Sequence, residues 1–381
     1  MPKVIVYTHS LLSGSMTFIR SHSEALKRHR AVYAGAHQVV GGLSLPSDRT
    51  VLANGGGVTG RVDEFLFRRL QFAPAFLRRL ERHEPVAVHS HFGESGPPGL
   101  TIAKALGVPL IVTFHGKDAM VTDAENATSW RGRQYLRQRE RLAADAARFI
   151  AVSVPVQERL VDQGFPREKI LVHRNGIDTS YFSPDAIPRE PIVLFVGRLV
   201  EKKGCEYLIE SMSLLERDGI SVTAVLIGDG PLRPDLERLA SEAGANVQFK
   251  GFLPIDEVRR WMNRAAVVAV PSVTAANGDS EGLPTVILEA QAMGAAVVAT
   301  RHSGNPEGVA EGSTAILVPE RDAAALAAAL RVFLSEPEKA RAFGENGRRF
   351  VAENFEIGRQ VAGLEDIYEG SYRPLAGGAR A

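Results

Sequence analysis

Cysteine is all but missing from this chain, which carries one, Cys205, in 381 residues. A single thiol closes no internal disulfide and builds no cysteine-cluster metal site, and such scarcity suits a reducing compartment. Long apolar runs are missing as well. The N-terminus, MPKVIVYTHS, has neither the charged start nor the extended apolar core of a secretory leader, and no stretch approaches the ~18 consecutive apolar residues of a membrane span. Nor is there a strong charge of either sign: 45 Lys and Arg meet 44 Asp and Glu, a formal net of +1. No nucleic-acid partner is expected. What remains is an ordinary globular composition, 45% apolar and 23% charged, long enough for two domains. Neither disorder nor coiled coil fits it, and the expectation is a soluble, cytoplasmic protein.

The charge that is present is unevenly spread. Residues 1–180 hold 24 Lys and Arg against 16 Asp and Glu, a net of +8, and residues 181–381 hold 21 against 28, a net of −7. The basic half suits phosphate or an anionic membrane surface, which extends the expected location to the inner face of the plasma membrane.

One stretch, SEGLPTVILEAQAMGAAVVAT at 280–300, organises the rest. Gly282, Leu283 and Pro284 form a tight approach to a helix beginning near Thr285, with Pro284 suited to the first turn. Glu281 precedes that helix N-terminus, whose free N–H groups and positive dipole end attract anions. Inside the helix Glu289 is the one charged side chain, set among Val286, Ile287, Leu288, Ala290, Ala292 and Met293. A buried lone carboxylate needs a partner or a ligand, or it shifts its pKa until neutral. The plainer alternative has Glu281 solvated in a loop and Glu289 held in the core by an Arg or a backbone N–H.

From the start of the chain, KVIVY at 3–7 reads as a buried strand, followed by THSLLSGSMTF and a helical pattern at Phe18, Ile19, Ala25 and Leu26. Gly14 in that loop lets backbone approach a ligand, and a plain strand-to-helix turn reads as well. NGGGVTG at 54–60 satisfies G-x-G-x-x-G, but it lies far from the first strand, so a mobile surface loop is a better reading than a nucleotide cradle. Apolar residues from Phe65 to Leu80 then interleave with Arg61, Arg68, Arg69, Arg78, Arg79 and Arg82. Such a basic amphipathic stretch suits an anionic bilayer or, equally, a domain helix with a solvated basic face.

Further apolar runs at 86–89, 110–115, 149–153 and 170–176 alternate with helical patterns and imply a parallel sheet with ligands at strand carboxyl ends. THS, HSHFG, TFHGKD and HRNGID each place histidine just after such a run. Any one alone is more simply a satisfied loop residue, and no spacing makes a zinc site. The three prolines of TSYFSPDAIPREP, 179–191, mark the domain boundary. IVLFVGRLVEKKG then sets Arg198 and Lys203 in the loop after a strand, where two cations suit a diphosphate. TAVLIGDGP, VQFKGFLP, VVAVPSV and RHSGNPEGV follow, then helices over 322–334 and 336–354 and a tail ending in a frayed LAGGARA.

E-x(7)-E followed by A-x-A-M-G, with TFHGKD, NGID, GRLVEKKG and RHSGNPEGV in this order, resembles glycosyltransferase family 4, and the loop TAANGDS resembles the colanic-acid type of bacterial exopolysaccharide enzymes. The resemblance implies an α/β protein of the GT-B fold, two Rossmann-like domains with parallel sheets facing across a cleft. Residues 1–180 would bind acceptor, residues 181–354 would bind donor, and 355–372 would cross back onto the first domain. It implies retaining transfer of a hexose from a UDP- or GDP-sugar to a glycan or lipid-linked oligosaccharide in bacterial surface polysaccharide synthesis. By the same resemblance Glu281 faces the donor sugar, Glu289 binds the ribose, and Arg198 and Lys203 bind the diphosphate. Gly14, Gly228 and the loop Gly282, Leu283, Thr285 and Val286 complete the donor site. His115 faces the reacting sugar, with Asp118 orienting or neutralising its ring. Pro284 stands where many relatives have Gly and offers no N–H, and Ser303 replaces one Gly of the family's G-G-x-P-E turn. With no D-x-D in the chain, no metal or other cofactor is expected. A nucleotide-sugar epimerase, a sugar phosphorylase and a non-catalytic sugar-binding module remain the alternatives.

Overall fold

The computed structural model describes residues 1–14 and 16–372, so the LAGGARA tail lies outside the described residues. The chain divides into two compact units, one of residues 1–176 with the segment from 357 onward and one of residues 177–356.

Among the described residues the first unit is built on nine strands: β1 (Lys3–Tyr7), β2 (Ser10–Leu11), β3 (Arg30–Gly35), β4 (His37–Gln38), β5 (Thr50–Leu52), β6 (Pro85–His91), β7 (Leu110–Phe114), β8 (Arg148–Ala151) and β9 (Ile170–Val172). Seven form one parallel sheet in the order β5-β3-β1-β6-β7-β8-β9, and β2 pairs with β4 beside it. Because helices cover both faces of a parallel sheet, its central strands are apolar throughout rather than alternating. Val4, Ile5, Val6 and Tyr7 of β1 are all buried, as is the whole of Leu110–Phe114. Strand order reverses between β1 and β6, and the carboxyl ends there form the crevice that such sheets offer to ligands.

The second unit repeats the plan with β10 (Glu190–Val196), β11 (Thr223–Ile227), β12 (Val247–Gly251), β13 (Ala265–Val270), β14 (Ala296–Thr300) and β15 (Ala315–Val318), parallel in the order β12-β11-β10-β13-β14-β15. Its switch point lies between β10 and β13. The proline-bearing stretch 179–191, expected to separate domains, is packed into this unit. Phe182 is buried in its core, and the Arg189 guanidinium donates to the carbonyls of Met262, Ala265 and Met293 at 2.6–2.9 Å. The chain instead changes unit at residue 177, where the Ile177 N–H donates to the Phe355 carbonyl at 2.7 Å.

The last helix, Ile357–Tyr372, belongs to the first unit. Leu364 and Tyr368 bury against Val4, Ala87, Ile111 and Ile150. Glu365, almost fully buried, locks it in place: one oxygen accepts the backbone N–H groups of Lys27, Arg28 and His29 at 2.6–3.1 Å, and Arg28 pairs with the other. Burial opposes that charge, but these bonds hold the carboxyl below its ordinary value.

The basic stretch 61–82 is two helices, Gly57–Leu70 and Pro74–Glu81, broken at Gln71 in the left-handed conformation. NGGGVTG is not the surface loop expected of it. Its second half is the first turn of Gly57–Leu70, entered from the edge strand β5, and a Cβ on Gly60 would sit 2.8 Å from the Gly55 nitrogen. Phe67, Phe76 and Leu80 face the core, whereas Phe65, Leu70 and Phe72 are exposed.

Candidate functional site

In the second unit the organising helix runs from Thr285 to Ala292, with extended Pro284 as its cap residue rather than in its first turn. The solvated alternative for Glu281 fails, and Glu289 is less enclosed than expected. Glu281 is not solvated but buried, at 6% exposure, and Glu289 is only partly covered. Burial alone would raise the Glu281 carboxyl, but the charges of Lys203 and Lys202 and the Lys203 hydrogen bond hold it down at about 2. Lys203 Nζ lies 2.5 Å from Glu281 Oε1. Lys202 Nζ is 3.8 Å from Oε2 and sits mainly on Asp279, at 2.9 Å. Lys203 is thus held in place by an ion pair with Glu281. Glu289 has no cation on it among the described residues. Burial pushes its carboxyl up to about 7, a hydrogen bond from Thr285 and the charge of Lys203 easing the shift.

Three residues that sequence reasoning passed over, with Ser303 of the RHSG turn, complete this setting. Ser272, at the carboxyl end of β13, donates to Glu281 Oε1 at 3.3 Å. His302 accepts the Glu281 backbone N–H on Nε2 at 3.1 Å and donates from Nδ1 to Glu320 at 2.6 Å, so its tautomer is set. Ser303, at φ 43°, donates to the Glu281 carbonyl at 2.6 Å. The only available signal was the RHSG turn itself.

Arg198 follows β10, exposed and without an ion pair among the described residues. Gly204, left-handed at φ +59°, lets the Lys203 turn pass under Pro271: a Cβ there would lie 2.0 Å from the Pro271 carbonyl oxygen. Gly228 has the same kind of role, since at φ +135° its Cβ would lie 1.9 Å from the Gly197 oxygen. Of the approach loop, Gly282 is buried, Leu283 and Val286 are in the core, and Thr285 bonds to Glu289. The structure therefore brings together Lys203, Glu281 and the loop 282–286, with Arg198 and Gly228 on neighbouring strand ends. The Thr285 and Val286 N–H groups that open this helix have no intrahelical partners, whereas that of Ile287 already donates to the Pro284 carbonyl at 3.2 Å.

In the first unit Gly14 lies in a turn before the helix Thr17–Glu24, which ends short of Ala25 and Leu26. His115 closes β7, but Asp118 does not touch its ring. The Asp118 carboxylate accepts the backbone N–H groups of His115, Gly116 and Gly93 at 2.8–3.1 Å, tying two loops together, while burial lifts its pKa to about 6. The ring partner is His91, whose Nδ1 lies 3.0 Å from His115 Nε2 with the rings stacked. His115 Nδ1 is buried with no hydrogen-bond partner among the described residues. Burial first, then the nearby His89 and His22, lower the His115 pKa to about 3, so the ring is neutral and offers one open nitrogen. Among the described residues no group of three His, Cys, Asp or Glu is placed to hold a metal ion, and no helix is long and apolar enough to cross a membrane.

Comparison with known proteins places two families along the chain. The one described as Glycosyltransferase Family 4 matches residues 18–181 and the one described as Glycosyl transferases group 1 matches residues 178–350. WcaL of Escherichia coli strain K12, named as a colanic acid biosynthesis glycosyltransferase, is 37% identical over 64% of this chain, which spans 60% of that relative's length. The protein of the same name from Salmonella typhimurium is 33% identical over 74% of this chain and 71% of its own length. Among solved structures, Anabaena Alr3699/HepE in complex with UDP and glucose superposes with a TM-score of 0.75 at 19% identity, covering 96% of this chain and 99% of that one.

Proposed function

Because the chain belongs to glycosyltransferase family 4, we propose that it moves a hexose from a UDP- or GDP-sugar to a glycan or lipid-linked oligosaccharide during bacterial surface polysaccharide synthesis, with retention of configuration. Its fold is GT-B, two Rossmann-like halves built on parallel sheets. One observation carries the reading: at the switch point of the second sheet Lys203 pairs with buried Glu281 ahead of a helix N-terminus, with partly exposed Glu289 inside that helix and Arg198, unpaired among the described residues, in the loop after β10. Arg198 supplies a fork for a diphosphate and Lys203 a point charge, while the Thr285 and Val286 backbone adds first-turn N–H groups. In this reading these groups, and no divalent ion, meet the charge that grows on the diphosphate as the sugar leaves. Glu289 takes the ribose hydroxyls, and Glu281, fixed by Lys203 and Ser272, faces the sugar. Departure and attack then share one face of the ring. The relatives named for colanic acid biosynthesis support the polysaccharide assignment, and the UDP complex of the structural neighbour supports a nucleotide-sugar donor.

A screen of UDP- and GDP-sugars for slow hydrolysis without acceptor tests the donor. Two substitutions then divide binding from turnover. Ribose contacts are equal in ground and transition states, so Glu289→Ala is expected to weaken free nucleotide diphosphate and raise the donor KM. His115, whose open Nδ1 is assigned to the reacting sugar, is expected to behave oppositely. His115→Ala should keep nucleotide affinity within about twofold and lower turnover by roughly 100-fold, the scale of one transition-state contact. Calorimetry beside hydrolysis rates reads both. A His115→Ala protein with normal turnover and lost nucleotide affinity would refute the assignment.

A further inference from the structure

The first unit holds a second built site that the donor chemistry leaves unused. A cavity of about 350 Å³ opens between the helix Gly57–Leu70 and the start of the helix Trp130–Asp145, with His9, just past β1, in its wall. That is within the size range of pockets for small ligands. Its lining is lopsided in charge: Arg61, Arg68, Arg69 and Arg131 face one carboxylate, Glu64, which already pairs with Arg68 at 3.1 Å and His37 at 3.3 Å. Arg131 leans on Glu94 at 3.5 Å, whereas Arg61 and Arg69 have no carboxylate among the described residues. Arg69 lies over the Trp130 ring, 4.7 Å from its centre, and Phe65 forms an apolar wall at 61% exposure.

His9 is the independent sign that this is a site and not merely a basic surface. The residue is 8% exposed and lines the cavity, yet Nε2 has no hydrogen-bond partner among the described residues. A buried polar atom left unpaired is costly, so in native structures such an atom calls for an explanation. Burial and the neighbouring guanidiniums keep this ring neutral, so Nε2 can accept from, or in the other tautomer donate to, a hydroxyl. Guanidiniums for an acid group, an aromatic wall for the apolar face of a sugar ring and a neutral imidazole for a hydroxyl are the three requirements of one ligand class.

We propose that this cavity binds an anionic saccharide, a sugar ring bearing a carboxylate or phosphate, and that it does so as the acceptor. Only the word acceptor rests on the transferase reading; the binding itself does not. The full chain, with UDP or GDP added to fill the donor site, is titrated with methyl glucuronide, glucose 6-phosphate and methyl glucoside while the Trp130 indole resonance is followed. An acidic probe is expected to bind at least tenfold more tightly than methyl glucoside, and which acidic probe wins names the source of the charge. Arg61→Gln with Arg69→Gln, both exposed positions, should remove at least tenfold of that affinity, and Arg82→Gln, outside the cavity, should remove none. Equal affinity for all three probes, or binding indifferent to the double substitution, would overturn the proposal. So would failure of every probe in a protein that pellets with vesicles containing phosphatidylserine, which would make the basic face a membrane surface. If the acids bind but no nucleotide sugar is hydrolysed or bound, the cavity stands and its assignment as the acceptor site falls.

Discussion

Lys203→Ala is expected to lower donor turnover by roughly 100- to 1,000-fold, to weaken nucleotide diphosphate binding, and to destabilise the second unit, three effects from one ammonium. The diphosphate is charged throughout and gains charge as the sugar departs, so a cation beside it acts in both binding and turnover. The stability effect has a separate cause. Glu281 is buried, and without Lys203 it keeps only Lys202, at 3.8 Å, as a counter-ion. Breaking a buried pair costs about 3–5 kcal/mol when one charge is stranded, and Lys202 holds the loss toward the lower figure. The pH signature is specific. In the native protein the Glu281 pKa is depressed from 4.5 to about 2, so its contribution to stability is present above pH 4.5 and is lost as pH falls toward 2. In the variant burial is less opposed, the folded pKa rises, and this acid-dependent increment shrinks. Turnover, calorimetry with nucleotide and urea melts at pH 7 and 4 measure the three. A variant that is less stable yet turns over within threefold of the parent would reduce the pair to a structural role.

Lys203 and Glu281 also mark how far the sequence could be read. Each was named from its own motif, but their pairing was not, because 78 positions separate them and they meet only where the carboxyl ends of β10 and β13 lie side by side. The same holds for His115. The resemblance of TFHGKD implies Asp118 as the ring's partner, whereas the parallel register of β6 on β7 sets His91 opposite Thr113 and brings the two imidazoles together. Long apolar strands were legible: KVIVY, LIVTFH and IVLFVGR lie on β1, β7 and β10. Arg30–Gly35 and Thr50–Leu52 were not, since RAVYAG opens on a charge and ends in Gly, and TVL is three residues at a sheet edge. The part exposure of Glu289 was not legible, because a helix sequence shows which side chains are apolar but not which face a loop covers.

The histidines of the first unit predict an acid response of their own. His22, His89, His91, His115 and His173 gather at the strand ends of the first unit, with His89 bonded to Tyr368 and Thr113 at 2.7 Å and His22 donating to the Phe18 carbonyl at 2.7 Å. Burial lowers all five from 6.5, to about 3 for His89 and His115 and about 4 for His173. Above pH 6.5 the rings are neutral folded or unfolded and contribute nothing to pH dependence. Below it the unfolded chain takes up protons that the folded unit refuses, so stability falls by about 1.4 kcal/mol per pH unit for each such ring. Asp118 works the other way. Its pKa is raised from 3.8 to about 6, so the folded unit binds that proton first and offsets about one histidine between those values. Even two uncompensated rings amount to roughly 3 kcal/mol per pH unit against a typical domain stability of about 5–15 kcal/mol. In the second unit Glu289, raised to about 7, stabilises as pH falls toward 4.5, and Glu281 begins to cost only below that. The expected result is acid unfolding in two steps, the first unit losing its structure between about pH 5 and 4 while the second persists. Hydrogen exchange, followed separately in β1–β9 and β10–β15 from pH 7 to 3.5, resolves the order. A single concerted loss, or the second unit opening first, would show that these rings accept protons in place, and His115 could then no longer be treated as a neutral group at the reacting sugar.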